Sequence, residues 1–339
     1  MLTVRLIYSI IITSNNTSRY KYITQNYENI AKRGNIMSIV DYSVLRNEDY
    51  GTNPPFKSDE SGLHGDAEFP IAVYHADVTD NFVSWHWHEE LEFGFAVEGS
   101  VLMECGKSKH ILNKGDIYFI NSNTLHAMFK AGTGQKSVFR SVVVHGSIVG
   151  GKEDSIYHRK YVAPITGNSG LRELIFTPKD GSYSKILGLL TNIWNTENIR
   201  VPNHELIVRN ELSELFRILI HLSEKNMSAH PAASIAQETR LRDILLFIHD
   251  HYAEKITLDD MAAAAFISKS EVLRCFRNIT GQSPFEYLKN YRLRNAAYMI
   301  QNTSDPINTI CGLCGFDDHS YFSKAFKEAY GCSPREFKK

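Results

Sequence analysis

One stretch of the chain gathers residues able to bind a metal or anchor a polar ligand: Trp85-His86-Trp87-His88-Glu89-Glu90-Leu91-Glu92, with His126 further on. On a β-strand, side chains alternate with period two, so His86 and His88 share a face. Glu92 joins them if the strand continues. Imidazole and carboxylate together suit several divalent metals, so a metal-dependent catalyst is one reading. A metal-free pocket whose polar groups recognise a small molecule is the preferred one, with no cofactor and no catalytic residue. The third is that these residues are hydrogen-bonded fixtures of a barrel mouth.

A second group is cationic and lies near the C-terminus. Lys269, Arg274 and Arg277 fall in one helical segment, and Lys324 and Lys327 in another. Such side chains can meet phosphates or base edges of DNA. An ordinary solvated helix face is the competing reading. A third candidate is Cys311-x-x-Cys314. On a helix the pair lies at i and i+3, and no further zinc ligands are evident, so two small core thiols are expected.

The elements that must position these residues change character along the chain. From Phe69 to Ile148, short alternating runs are broken by Glu98-Gly99, Gly106 and Lys114-Gly115-Asp116, as in a β-sandwich or barrel. After Pro178 the period becomes helical. Ile186, Leu189, Leu190, Ile193 and Trp194 mark one helix, and Leu206, Ile207, Leu212, Leu215, Phe216, Leu219 and Leu222 a second. Either packing against the barrel or a dimer seam would bury these stripes. Lys225 to Gln237 reads as a linker.

The last hundred residues hold an internal repeat at an offset of 50: Ser270 to Arg277 matches Ser320 to Lys327, and Gly281, Ser283 and Pro284 match Gly331, Ser333 and Pro334. Each copy reads as helix, tight turn, helix. Thr257 caps the first helix, and Ser268 with Glu271 forms a capping box on the second. In the second copy Gly315-Phe316 makes the turn and Asp317 or Asp318 the cap. A longer helix from Pro284 to Ile300 joins the copies.

Length and composition limit the rest. A chain of 339 residues, 43% apolar and 22% charged, is globular and of two or three domains. Its net charge of -1 excludes a uniformly basic nucleic-acid coat. From Leu241 on there are 13 Lys and Arg against 12 Asp and Glu, so DNA contact must come from placement rather than from total charge. Five cysteines in a chain this long argue against a disulfide framework and for the cytosol. The apolar run Leu6 to Ile12 is too short to span a membrane. Residues 1–36 are read as a leader outside the fold, with Met37 as the start and a purine-rich codon run before it.

Two resemblances follow from these residues. His86, His88, Glu92 and Gly99, then Gly115 and His126, match the spacing of the two cupin motifs. Ile310, Gly315-Phe316, Ser320-Tyr321-Phe322, Phe326-Lys327, Gly331 and Ser333-Pro334 resemble the DNA-binding domain of the AraC/XylS family. Together they imply a multidomain chain: an all-β cupin barrel (a double-stranded β-helix), then an all-α domain with two helix-turn-helix motifs. The expected limits are 37–170 for the effector domain, 171–237 for a helical linker and dimerisation segment, and 238–339 for the DNA-binding domain. The resemblance implies a non-enzymatic, cytoplasmic transcription regulator. Its partners would be double-stranded operator DNA, a small-molecule effector such as a sugar, a second copy in a homodimer, and RNA polymerase if it activates. Effector contacts fall to His86, His88, Glu92 and His126. DNA contacts fall to Ser268, Lys269, Ser270, Arg274 and Arg277, and to Asp318, His319, Ser320, Tyr321, Lys324 and Lys327. The two motifs would occupy successive major-groove segments ~34 Å apart.

Overall fold

The computed structural model describes residues 60, 64–79, 82–134, 136–223 and 232–338. The expectations about residues 1–36 and Met37 lie outside them. Among the described residues no helix is long and apolar enough to cross a membrane.

The first half is a β-barrel built around one long strand. The strands are β1 (Ile71–Asp77), β2 (Val83–His86), β3 (Leu91–Cys105), β4 (Ser108–Asn113), β5 (Ile117–Ile120), β6 (His126–Lys130), β7 (Ser137–Val144) and β8 (Glu173–Phe176). The first half of β3 pairs with β5 and β7, and its second half with β4 and β6. It therefore belongs to both sheets and holds them together. The sequence suggested two strands with a turn at Glu98-Gly99. Instead the register slips there and the strand continues, which is the geometry of a β-bulge. Gly99 permits it with φ +65, and a Cβ at that position would meet the Lys136 carbonyl oxygen at 1.7 Å.

The segment expected to be helical from residue 171 opens with β8, which pairs with β5 and completes that sheet. Short helices α1 (Ser147–Gly150) and α2 (Ala163–Thr166) flank a π-helical turn at His158–Val162. Helices α3 (Tyr183–Ile199) and α4 (His204–Ser223) follow. The first packs on the barrel: Trp194 Nε1 donates to the Tyr74 carbonyl at 3.2 Å, and the Arg140 guanidinium lies 3.9 Å from the Trp194 ring centre. On α4 the buried stripe is Val208, Leu212, Leu215, Phe216 and Leu219. Leu206 and Ile207, expected on it, are exposed because they fall outside that four-and-three spacing.

The helical half comprises α5 (Ala232–His251), α6 (Leu258–Ala264), α7 (Lys269–Ile279), α8 (Pro284–Asn302), α9 (Ile307–Leu313), α10 (His319–Tyr330) and α11 (Pro334–Phe337). Residues 232–237 of the expected linker are already helical. Thr257 caps α6 with a full capping box. Ser268 caps α7 by accepting from the Glu271 amide, but the reciprocal bond is not made. The Glu271 carboxylate turns instead to Arg240 at 3.0 Å and to Arg274. Cys311 and Cys314 are both buried free thiols, as the core reading expected. Gly315, at φ +76, lets the turn after α9 close: a Cβ there would meet the Tyr252 carbonyl at 2.7 Å.

Candidate functional site

Strands β2 and β6 carry the centre of interest. They pair with His86 directly opposite His126. Along this part of the chain even-numbered residues turn into the barrel: His86, His88, Glu92 and His126 are all 1–2% exposed. Their ligand atoms lie within 4.8 Å of one another. The structure thus brings together the four residues that two separated motifs suggested.

The hydrogen bonds around them fix which nitrogen faces inward. His86 Nδ1 lies 2.8 Å from the Ser84 carbonyl, His88 Nδ1 3.0 Å from the Glu90 carbonyl, and His126 Nδ1 2.7 Å from the Thr124 carbonyl. A carbonyl only accepts, so each Nδ1 is the donor and each Nε2 is left to the interior. The Nε2 atoms of His88 and His126 stand 3.4 and 3.2 Å from Glu92 Oε2. Tyr118 donates to the other carboxylate oxygen at 2.7 Å. Burial raises the pKa of Glu92, but the hydrogen bonds and charges of His126 and His88 outweigh it and hold the carboxyl well below the usual range. Burial, and then the neighbouring His126 and His88, push His86 well below the ordinary imidazole value.

Three imidazoles and one carboxylate thus present four ligand atoms to one small, buried space. Nδ1 bonds to backbone carbonyls also orient imidazoles in the way metal-ligating histidines are oriented. The donor set fits a divalent ion of the kind that takes mixed nitrogen and oxygen ligands. Ligand atoms within 4.8 Å of one another, on side chains almost fully buried, are of a spacing that could hold an ion.

Sequence reasoning missed the second ring of residues. His64, Glu90 and His88 form another buried group within 4.8 Å. His64 bonds to the Tyr74 hydroxyl at 2.8 Å, and its Nε2 is 3.5 Å from Glu60. Glu60, pushed up to about 7 by burial, also lies 4.0 Å from His86 Nε2. Glu90 shares the even parity of His86, His88 and Glu92, so that signal was present. Glu60 and His64 enter from upstream of β1 and carry no spacing that marks them. Asn121 is also structural: its amide donates to the carbonyls of Ile165 and Leu171 at 2.8 and 2.6 Å.

The odd-numbered residues that alternate with these face outward. Trp85 and Trp87 with Leu125 and Ala127 join one buried cluster with Leu241, Ile244, Leu245 and Ile248 of α5, Val272 and Phe276 of α7, and Tyr287 and Tyr291 of α8. Polar contacts cross the same junction. Arg172 meets Glu238 at 2.6 Å, Arg242 donates to the Asn123 carbonyl, and the Ser84 and Tyr287 hydroxyls are 3.5 Å apart. Tyr287 in turn bonds to His249 at 2.9 Å.

The candidate nucleic-acid residues form two exposed faces. On α7, Lys269, Ser270, Arg274 and Arg277 are exposed, and Val272, Cys275, Phe276 and Ile279 are buried. On α10, His319, Ser320, Tyr321, Lys324 and Lys327 are exposed, and Phe322, Ala325 and Phe326 are buried. Ser268 and Asp318 are helix caps: Asp318 accepts from the Ser320 and Tyr321 amides at 2.7 and 3.0 Å. Lys269 pairs with Asp259 at 2.9 Å, and Arg274 with Glu271.

Comparison with known proteins agrees with this two-part organisation. Residues 78–144 match the family described as a cupin domain, and residues 261–339 the family described as a helix-turn-helix domain. The chain is 26% identical over 279 residues to the uncharacterized HTH-type transcriptional regulator YdeC of Bacillus subtilis, covering 81% of this chain and 94% of that one. It is 33% identical over 135 residues to the arabinose operon regulatory protein of Salmonella typhimurium, covering 40% of this chain and 46% of that relative, less than half its length. Among solved structures, ToxT of Vibrio cholerae aligns over 80% of this chain and 96% of its own, at 13% identity and a TM-score of 0.42, too distant to argue from.

Proposed function

We propose that this chain, an AraC-type DNA-binding transcription regulator with a cupin domain, recognises a specific operator with α7 and α10 and sets that recognition by what occupies its barrel. Each helix would enter a major-groove segment. Lys269, Ser270, Arg274 and Arg277 would act from α7, and His319, Ser320, Tyr321, Lys324 and Lys327 from α10, with Ser268 and Asp318 fixing the helix starts. Phosphate contacts would supply most of the affinity and base contacts the selectivity. In this reading the protein is cytoplasmic, dimeric and not an enzyme, and it engages RNA polymerase if it activates. One relative is named for the arabinose operon, which supports a sugar or related metabolite as effector.

The observation that carries the proposal is the alternation from Trp85 to Trp87, at the end of β2. His86 points into the barrel centre, while Trp85 and Trp87 on either side are core residues of the first helix-turn-helix unit. A ligand that shifts this strand must shift the wall of the DNA-binding domain. It can change the equilibrium only through unequal affinity for two states. The test is His88→Gln. The variant should fold and bind operator DNA, yet no longer change its transcriptional output under the inducing condition. Full inducibility would refute the role of this residue.

A second reading is favoured by the three Nδ1–carbonyl bonds. His86, His88, Glu92 and His126 would hold a divalent ion, which would supply a Lewis-acidic anchor for an oxygen-bearing effector. The residues themselves fix the ring orientations and exclude water. Elemental analysis of protein purified without added metal tests this. Stoichiometric metal, lost in a Glu92→Gln variant that still folds, is the expected result. Metal-free protein that responds normally to its inducer would overturn it.

A further inference from the structure

Helix α5 touches both the barrel and α7, and its charged residues point both ways. Glu238 meets Arg172, just before β8, at 2.6 Å. Arg240 is two residues further on, about 200° around the helix, and meets Glu271 of α7 at 3.0 Å. Leu241, Ile244, Leu245 and Ile248 of α5 lie in the core shared with the barrel and α7, so the helix that carries Arg240 is fixed on both sides. Glu271 divides its two carboxylate oxygens. Oε1 accepts from Arg240 Nη1, and Oε2 pairs with Arg274 Nη2. The hydrogen bond from Arg274, and after it that from Arg240, hold the carboxyl below its usual value against the opposing effect of burial. The Glu271 side chain is 13% exposed and that of Arg274 60%, so the acid is set into the surface while the guanidinium can swing away from it. The second unit has no such arrangement. At the offset of 50, Tyr321 stands for Glu271 and Lys324 for Arg274.

These contacts bear on how Arg274 reaches a base. When its guanidinium turns to the duplex, Glu271 Oε2 loses its partner, and a carboxylate remains on the helix that meets the DNA. Arg240 on the other oxygen keeps that carboxylate paired. Without it, Glu271 would draw Arg274 back and repel the phosphates. We propose that Arg240 is a positioning residue for operator recognition: by holding Glu271 from α5, it lets Arg274 leave the surface of α7 for a base. This rests on the reading of α7 as an operator-reading helix. It adds a residue of another helix, one packed against the barrel, that sets how readily α7 reads.

The operator for the test is a duplex selected by the full chain from random-sequence DNA. The readout is affinity for it divided by affinity for an unselected duplex of the same length. Arg240→Met should lower that ratio about two- to fivefold, the scale of one exposed ion pair. Arg240→Gln is the second variant, should Arg240→Met not fold, and the same loss is expected of it. Arg240→Lys keeps a charge beside the same oxygen and should preserve the ratio. Glu271→Gln removes the charge that needs balancing. The cap on α7 uses the backbone amide of residue 271, so the helix start is kept. In that background Arg240→Met should leave the ratio unchanged. An equal loss in both backgrounds would make Arg240 a direct DNA contact and overturn the proposal. So would the absence of any loss in the otherwise native chain. Arg274→Ala is measured beside these variants. If it leaves the ratio unchanged, the reading of α7 fails and this inference with it. If it lowers the ratio while neither Arg240→Met nor Arg240→Gln does, this inference alone fails.

Discussion

The two helix-turn-helix units descend from one pattern but are completed differently. In the second, Ile310, Cys311 and Cys314 pack with Phe322, Ala325 and Phe326 of α10 and with Leu293, Ala296 and Ile300 of α8. That core is closed by the unit's own helices and the joining helix. In the first, Met261, Ala262, Val272, Cys275 and Phe276 share a core with α5 and with Trp85, Trp87, Leu125 and Ala127 of the barrel. Helix α8 serves both, giving Tyr287 and Tyr291 to one core and Leu293 to Ile300 to the other. A duplicated scaffold has thus become one unit that shares its core with the barrel and one whose core is completed by α8. Their cationic faces differ as well. Lys269 and Arg274 on α7 are paired with acids, whereas among the described residues no ion pair involves Lys324 or Lys327 on α10.

The largest expected effect tests the shared core. Trp87→Ala empties a buried site, 5% exposed, and should cost about 3–5 kcal/mol in denaturant unfolding. Hydrogen exchange should then show lost protection in α5, α6 and α7 while α9 and α10 keep theirs. Equal loss in both units would mean that they share one cooperative core and that the contrast drawn above is wrong.

The next effects concern DNA. Arg274→Ala should lose roughly 1–3 kcal/mol on the specific site and relax preference at one base pair. Equal loss on random DNA would make Arg274 a phosphate contact instead. Lys327→Ala should weaken all sequences alike and reduce the salt dependence by about one ion. Arg274 must leave Glu271 to reach a base, and salt weakens that competing pair as well as the DNA contact, so the two effects partly offset; among the described residues Lys327 has no ion pair to leave. A measured salt slope that falls more for Arg274→Ala than for Lys327→Ala would reverse the assigned roles.

Much of this architecture was legible in the chain itself. The offset of 50 revealed the duplication, and the motif spacing gathered His86, His88, Glu92 and His126. What periodicity could not supply was the cover on the outer face. The same alternation that turns His86 inward turns Trp85 and Trp87 outward, but no local pattern says that the second domain lies there. Glu60 and His64 were missed for a related reason, since long-range folding and not spacing brings them to the centre. The Ser268–Glu271 box was half right: Arg240, 31 residues away, competes for the carboxylate that a local rule assigned to the cap. The apparent turn between two strands at Gly99 proved to be a bulge, because pairing with β7 resumes after the slip and reaches Gly99, and pairing with β4 begins at Ser100.

The smallest effect lies in the turns of the two units. Both α6 and α9 end with the same pair of backbone bonds. Phe266 and Ile267 amides donate to Ala263 and Ala262, and Gly315 and Phe316 amides donate to Gly312 and Cys311. This is a Schellman-type ending, which needs a left-handed residue after the helix. Gly315 takes that position at φ +76 without strain, and Phe266 takes it at φ +53. Thus Phe266 is the structural counterpart of Gly315, although the 50-residue offset pairs it with Phe316. A left-handed non-glycine residue costs about 1–2 kcal/mol, and glycine returns about 0.5–1 of that through its greater freedom when unfolded. The Phe266 ring is 96% exposed, so its removal forfeits almost no burial. Phe266→Gly should therefore stabilise the chain by roughly 0.5–1 kcal/mol in urea unfolding. The corresponding Gly315→Ala should destabilise it by more, because its Cβ would strike the Tyr252 carbonyl at 2.7 Å. If Phe266→Gly lowers stability instead, the ring has a packing role in solution, and the two turns differ by more than the side chain that fills one left-handed position.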